Sequence, residues 1–144
     1  MSVKGSVTII VDTTGKAELD PPLGLLDRNI QTMQWSLVAP EEFKFSDPPI
    51  VFQSEGLPPG FVSWPGDTPA KENDWQVRAK VNKKVDKPEF YRYDIFVDVQ
   101  TSSTNGGVRV ERRKLKVHRA VEATEAEHEH KEKIDPDMEN QPQP

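Results

Sequence analysis

Apolar and polar residues alternate along most of residues 1–117, the pattern that one buried face of a sheet imposes. Val7, Ile9 and Val11 alternate with Thr8, although Ile10 thickens the run, and Asp12-Thr13-Thr14-Gly15 supplies turn chemistry. Residues 16–19 then return as a short second strand, which predicts an N-terminal hairpin. The stretch Asp20-Pro21-Pro22-Leu23-Gly24 breaks regular structure. Met33, Trp35 and Leu37 share one face of the next strand and Thr32, Gln34 and Ser36 the other, making Trp35 the first choice for a central core residue. Phe43 and Phe45 alternate with Glu42 and Lys44. Asp47-Pro48-Pro49 ends that strand, and Ile50-Val51-Phe52 begins another.

Residues 56–69 hold Pro58, Pro59, Gly60, Pro65, Gly66 and Pro69, which excludes a helix or a central strand because proline lacks the amide donor both need. Beyond them, Trp75, Val77, Ala79 and Val81 predict a second half-buried strand facing the core. Tyr91, Tyr93, Ile95, Val97 and Val99 alternate with Arg92, Asp94, Asp98 and Gln100 in the longest strand of the chain. Asn105-Gly106-Gly107 signals a tight turn, after which Val108 and Val110, with Leu115 and Val117, mark a return strand. Six or seven strands punctuated by turns, without a helical period before residue 118, predict an all-β fold. The expectation is a single Ig-like or cupredoxin-like β-sandwich over residues 1–118.

Residues 119–144 follow no such alternation. Glu127 and Lys131, and Glu129 and Lys133, stand at the i,i+4 spacing that supports a helix, yet no apolar stripe accompanies them. The expectation is a charged C-terminal tail, partly helical or disordered, with the core drawn from residues 1–117.

Composition narrows the function classes. With net charge −5 the chain is a poor general nucleic-acid binder, since phosphate neutralisation needs clustered cations. It contains no cysteine, so disulfides, thiolate nucleophiles and type 1 copper sites are excluded. The opening Met1-Ser2-Val3-Lys4-Gly5-Ser6 has no apolar leader, and no apolar run approaches the ~18 residues that cross a bilayer. A cytoplasmic protein without a membrane partner is expected.

Motifs of enzymatic chemistry are absent: no Gly-rich phosphate loop, no Gly-x-Ser-x-Gly elbow, no His-Glu-x-x-His. His118, His128 and His130 lie at or beyond the last predicted strand, and the pair in His128-Glu129-His130 closes no coordination shell by itself. Asp12, Asp20, Asp27, Asp47 and Asp67 fall near turns, where turn preference explains them without calcium. No catalytic residue, cofactor or metal ligand is assigned, and the chain reads as a non-catalytic binding or structural module with a protein as partner, the alternatives being a polyanion-binding protein that uses residues 109–119 and an enzyme whose site is assembled from carboxylates without a recognisable motif.

Two surfaces could carry binding. Leu57, Phe61 and Trp64 lie in the Pro-rich loop, either as a lid over the open side of the core or as displayed anchors for a partner. Arg109, Arg112, Arg113, Lys114, Lys116 and Arg119 form a basic stretch interrupted by Glu111. It serves as a charged edge strand that resists aggregation, as a seat for the acidic tail, or as a polyanion-binding surface.

The ending Ile134-Asp135-Pro136-Asp137-Met138-Glu139-Asn140-Gln141-Pro142, after the Tyr91-x-Tyr93 strand, resembles the close of the bacterial DP-EP family. The resemblance implies a small β-sandwich of no assigned activity, in which the segment from Asp135 to Pro142 is pinned against the domain. It supplies no catalytic residues.

Overall fold

The computed structural model describes residues 4–102, 106–122, 129–134 and 136–142, with the backbone alone over 118–122 and 129–134. Twelve strands are described: β1 Ser6–Val11, β2 Lys16–Asp20, β3 Leu23–Leu26, β4 Thr32–Val38, β5 Phe43–Phe52 and β6 Ala70–Asn73, then β7 Gln76–Lys80, β8 Glu89–Ser102, β9 Val108–Lys114, β10 Lys116–Glu122, β11 Glu129–Ile134 and β12 Asp137–Asn140. One sheet runs β11-β10-β2-β1-β4-β7-β6. The second runs β3-β12-β8-β5, with β9 also paired to β8. The fold is an all-β sandwich of two mixed sheets. No helix among the described residues is long and apolar enough to cross a membrane.

The alternation read from the sequence is what fills the space between the sheets. Val7, Ile9, Met33, Trp35, Leu37 and Val77 project from the first sheet, and Phe45, Ile50, Tyr91, Tyr93, Ile95 and Val97 from the second. Trp35 is fully buried and meets Tyr93 edge-on, with ring centroids 5.6 Å apart. Burying an aromatic side chain of this size contributes roughly 2–3 kcal/mol from area alone. The sheets approach closely enough that a side chain on Gly24 would collide: a Cβ there would lie 3.0 Å from both Val7 and Met33 and 3.2 Å from Met138.

Three elements differ from the sequence expectation. Trp75 is 47% exposed, because it lies in the β6–β7 turn rather than on β7; its N–H donates to the Asn73 side chain at 2.9 Å and its C=O accepts from Leu37 N–H. Alternation holds only once the chain has entered the ladder, at Val77. Asp47-Pro48-Pro49 does not end a strand. β5 continues through it with a shift of register between Phe45 and Ile50, and the prolines fall in this irregular stretch, where no ladder pair needs their amides. Pro21 and Pro22 do separate β2 from β3, but Leu23 and Gly24 already belong to β3.

The largest difference concerns residues 119–144. Where described, their backbone is strand and not helix: β11 returns antiparallel along β10, with Arg119 opposite Glu132. Residues 123–128, with Glu125, Glu127 and His128, lie outside the described residues. β12 then enters the second sheet between β3, to which it is parallel, and β8, to which it is antiparallel. Met138 is wholly buried. Asn140, equally buried, donates from Nδ2 to the Lys83 C=O and to the Tyr91 hydroxyl, both at 3.2 Å. Arg92 Nε donates to Asp137 Oδ1 at 3.0 Å, and the N–H of Tyr93 and of Gln141 donate to the C=O of Pro136 and Leu26. Residues 137–140 are therefore inside the sandwich, and residue 118 does not mark the end of the core.

Asp27 secures the turn between β3 and β4. Its carboxylate accepts from Lys4 Nζ at 3.0 Å and from the N–H groups of Asn29 and Ile30 at 2.8 and 2.7 Å. Burial works to raise its pKa, but Lys4 and the two amides outweigh it and hold the carboxyl below the ordinary aspartate range.

Met138→Ala should lower the unfolding free energy by about 2–5 kcal/mol, the range for emptying a buried methionine site; a denaturant midpoint equal to the wild type would show that β12 is not packed. Because the folded pKa of Asp27 is depressed, its contribution is fully present above the unfolded value of about 3.9 and is lost as pH falls through the lower folded value. Asp27→Asn should therefore destabilise the protein at pH 7 and flatten the stability loss below about pH 4. Melting curves across pH decide it: an acid limb identical to the wild type would contradict the pairing.

Candidate functional site

The Pro-rich loop closes the open side of the sandwich. Its N–H and C=O groups bond to the start of β8: Val62 N–H donates to the Phe90 C=O at 2.9 Å, and Phe90 N–H to the Gly60 C=O at 3.3 Å. Phe61 lies against Phe90 with Arg92 stacked over its ring at 4.7 Å. Trp64 lies flat on Phe52, with centroids 4.3 Å apart and planes 4° apart, and meets Tyr91 edge-on. Its Nε1–H donates to the Asp67 C=O at 2.8 Å. Gly66 sits directly beneath this indole, since a Cβ there would come within 2.7 Å of the ring. Leu57 is half-buried, as are Phe61 and Trp64. The structure thus makes Phe61 and Trp64 a lid over the core.

One flank of that lid borders a groove of about 380 Å³ between residues 63–69 and the outer edge of β5. Pro48, Val51, Phe52, Trp64, Thr68 and Pro69 line it. Gln53 N–H donates to the Arg92 C=O at 2.8 Å, so Gln53 bonds toward β8. Antiparallel ladders alternate sides residue by residue, which turns the N–H and C=O of Phe52 and Ile50 away from β8 and toward the groove. Farther along the same edge, Phe45 N–H donates to the Asp74 C=O and Lys71 Nζ donates to the Phe45 C=O. Over residues 50–52 no strand among the described residues takes this edge. Sequence reasoning missed this edge by treating Pro48 and Pro49 as a terminator; prolines within an apolar run are also the signal of an edge strand.

The basic stretch is divided between the two sheets. Arg109, Arg112, Arg113 and Lys114 belong to β9 in the second sheet, whereas Lys116 and Arg119 belong to β10 in the first. Arg112 lies across the outer face of β8. Its Nε donates to Ser46 Oγ at 3.0 Å, its terminal nitrogen donates to the Pro48 C=O at 2.9 Å, and its guanidinium lies 3.9 Å from the centre of the Phe96 ring. It therefore clips the irregular stretch of β5 that contains Asp47-Pro48-Pro49. Arg113 pairs with Glu111 at 3.2 Å, and Arg113 together with Arg109 holds the Glu111 carboxyl below its ordinary range. All seven residues of β9 are exposed, including Val108 at 64%, as expected of a charged strand at a sheet margin. The side chain of Arg119 lies outside the described residues.

Of the turn aspartates, Asp12 accepts from the N–H of Thr14 and of Lys16 and from the Thr14 hydroxyl, which is turn chemistry. Among the described residues no three His, Asp or Glu side chains come together as a metal site requires. No family model, no curated protein and no solved structure matches the chain.

Arg112→Gln should cost about 1–3 kcal/mol, because it leaves the buried Ser46 hydroxyl and the Pro48 carbonyl without their charged donor. Arg109→Gln on the same strand should cost under about 0.5 kcal/mol. Equal effects of the two in chemical denaturation would contradict the assignment of Arg112 to the β5 irregularity.

Proposed function

We propose that the protein is a cytoplasmic, non-catalytic protein-binding module that takes an extended segment of a partner along the edge of β5. The observation that carries this reading is the pair of backbone N–H and C=O groups of Ile50 and Phe52 turned toward an apolar groove. An added strand satisfies such groups while its alternate side chains enter the groove beside Trp64 and Pro69, the chemistry of β-augmentation. Trp64 keeps the role of partner contact; Phe61 supports it by packing against Phe90. The mixed sheets, with β1 parallel to β4, favour a cupredoxin-like frame over an Ig-like one, and the resemblance to the DP-EP family belongs to the same reading.

A displayed library of extended peptides should yield ligands with apolar residues at alternate positions. Their binding should shift the amide resonances of Ile50 and Phe52, fail when the peptide amides that face β5 are N-methylated, and fail in Thr68→Arg, which fills the groove from an exposed position. Ligands indifferent to N-methylation and to Thr68→Arg would sink the proposal.

A further inference from the structure

A second cleft lies where the chain leaves β9 in one sheet and enters β10 in the other. Its volume is about 500 Å³, and its lining includes Lys16, Arg113, Lys114 and Lys116 above the side chains of Phe43 and Leu115. Among the described residues no carboxylate belongs to the lining, although the chain as a whole carries a net charge of −5. Cations have thus been gathered against the balance of the protein.

The arrangement of Lys16 and Lys116 is the informative part. They stand abreast in the parallel ladder of β2 and β10, and the next pair, Ala17 and Val117, is buried, so both lysines point outward on the same face. Like charges directly abreast destabilise a sheet. Edge protection accounts for cations on β9 but not for this pair, because β2 and β10 are interior strands of their sheet. The Arg113–Glu111 pair, about half exposed on both sides, is a weak competitor for an incoming anion.

We propose that this cleft is an anion site for a small polyphosphate chain, of the di- or triphosphate kind. The lining holds four cationic residues from three strands, its size suits a small ligand, and charge-assisted bonds to phosphate offset the repulsion between Lys16 and Lys116. The site is independent of the β5 groove, and its failure leaves the peptide-binding proposal untouched.

The test is calorimetric titration of the full chain with inorganic triphosphate at low ionic strength. One-site binding is expected, weakened about tenfold in Lys16→Gln and in Lys116→Gln and unchanged in Arg109→Gln, which lies on β9 outside the cleft. Without ligand, Lys16→Gln should melt at or above the wild-type temperature, since it relieves a repulsion; Lys114→Gln provides a second cleft variant should the first fold poorly. A nucleoside triphosphate that binds as tightly as inorganic triphosphate assigns recognition to the phosphates, and one that binds tighter adds a contact to Phe43 and Leu115; either supports the site. Absence of triphosphate binding, or equal weakening by Arg109→Gln and Lys16→Gln, overturns it. So does binding of a duplex oligonucleotide whose loss is spread evenly over Arg109 and Lys16, which would mark a nucleic-acid surface instead.

Discussion

β3 and β8 are both strands of the second sheet, yet they do not touch each other: β12 fills the gap between them, parallel to one and antiparallel to the other. Much else follows from that insertion. Without it the backbone groups that β3 and the first half of β8 turn toward β12 would face no partner, and such groups are costly once removed from water. Met138 supplies the side chain that meets Gly24 and the first sheet, and Asn140 ties the Tyr91 hydroxyl to the Lys83 carbonyl. That hydroxyl in turn donates to Glu89, and burial first, then the Glu89 carboxylate, pushes its pKa up to about 12. The last strand is thus one of the walls of the core rather than an addition to it.

With that sheet complete, its other margin is the side to which we assign binding. β8 is held by β12 and β9 on one side and by β5 on the other, which leaves β5 as the margin nearest the Pro-rich loop. Phe52 connects the two themes: its ring joins the aromatic group of Trp35, Tyr91 and Tyr93 while carrying Trp64 on its outer face. The groove is therefore built on core residues, and a ligand there meets a surface that is already ordered, at a low cost in entropy. Arg112 maintains the same margin from behind by holding the irregular stretch of β5.

Period-two alternation made most of the sandwich legible, because half-buried strands must write it into the sequence. Val7 to Val11, Met33 to Leu37 and Tyr91 to Val99 are buried and exposed in the predicted phase. The reading failed where burial is decided by distant partners. β12 has four residues and one large apolar side chain, and its buried Asn140 makes sense only beside Lys83 and Tyr91, far away in the sequence. Trp75 fits the phase of β7 but falls just before its ladder begins. Prolines at 48–49 suggested a break where the chain uses them within the irregular edge of β5, whereas those at 21–22 do part β2 from β3. The lid role of Trp64 was among the sequence alternatives, whereas the proximity of Lys16 to Lys116 depends on a parallel pairing that no local pattern encodes.

Native-state hydrogen exchange at the amides of residues 137–141 tests the central claim most directly. If β12 is a wall of the core, these amides open only with global unfolding and should share the protection of Tyr93 and Ile95 in β8. Exchange at the rate of an unstructured peptide, with β8 still protected, would contradict the account.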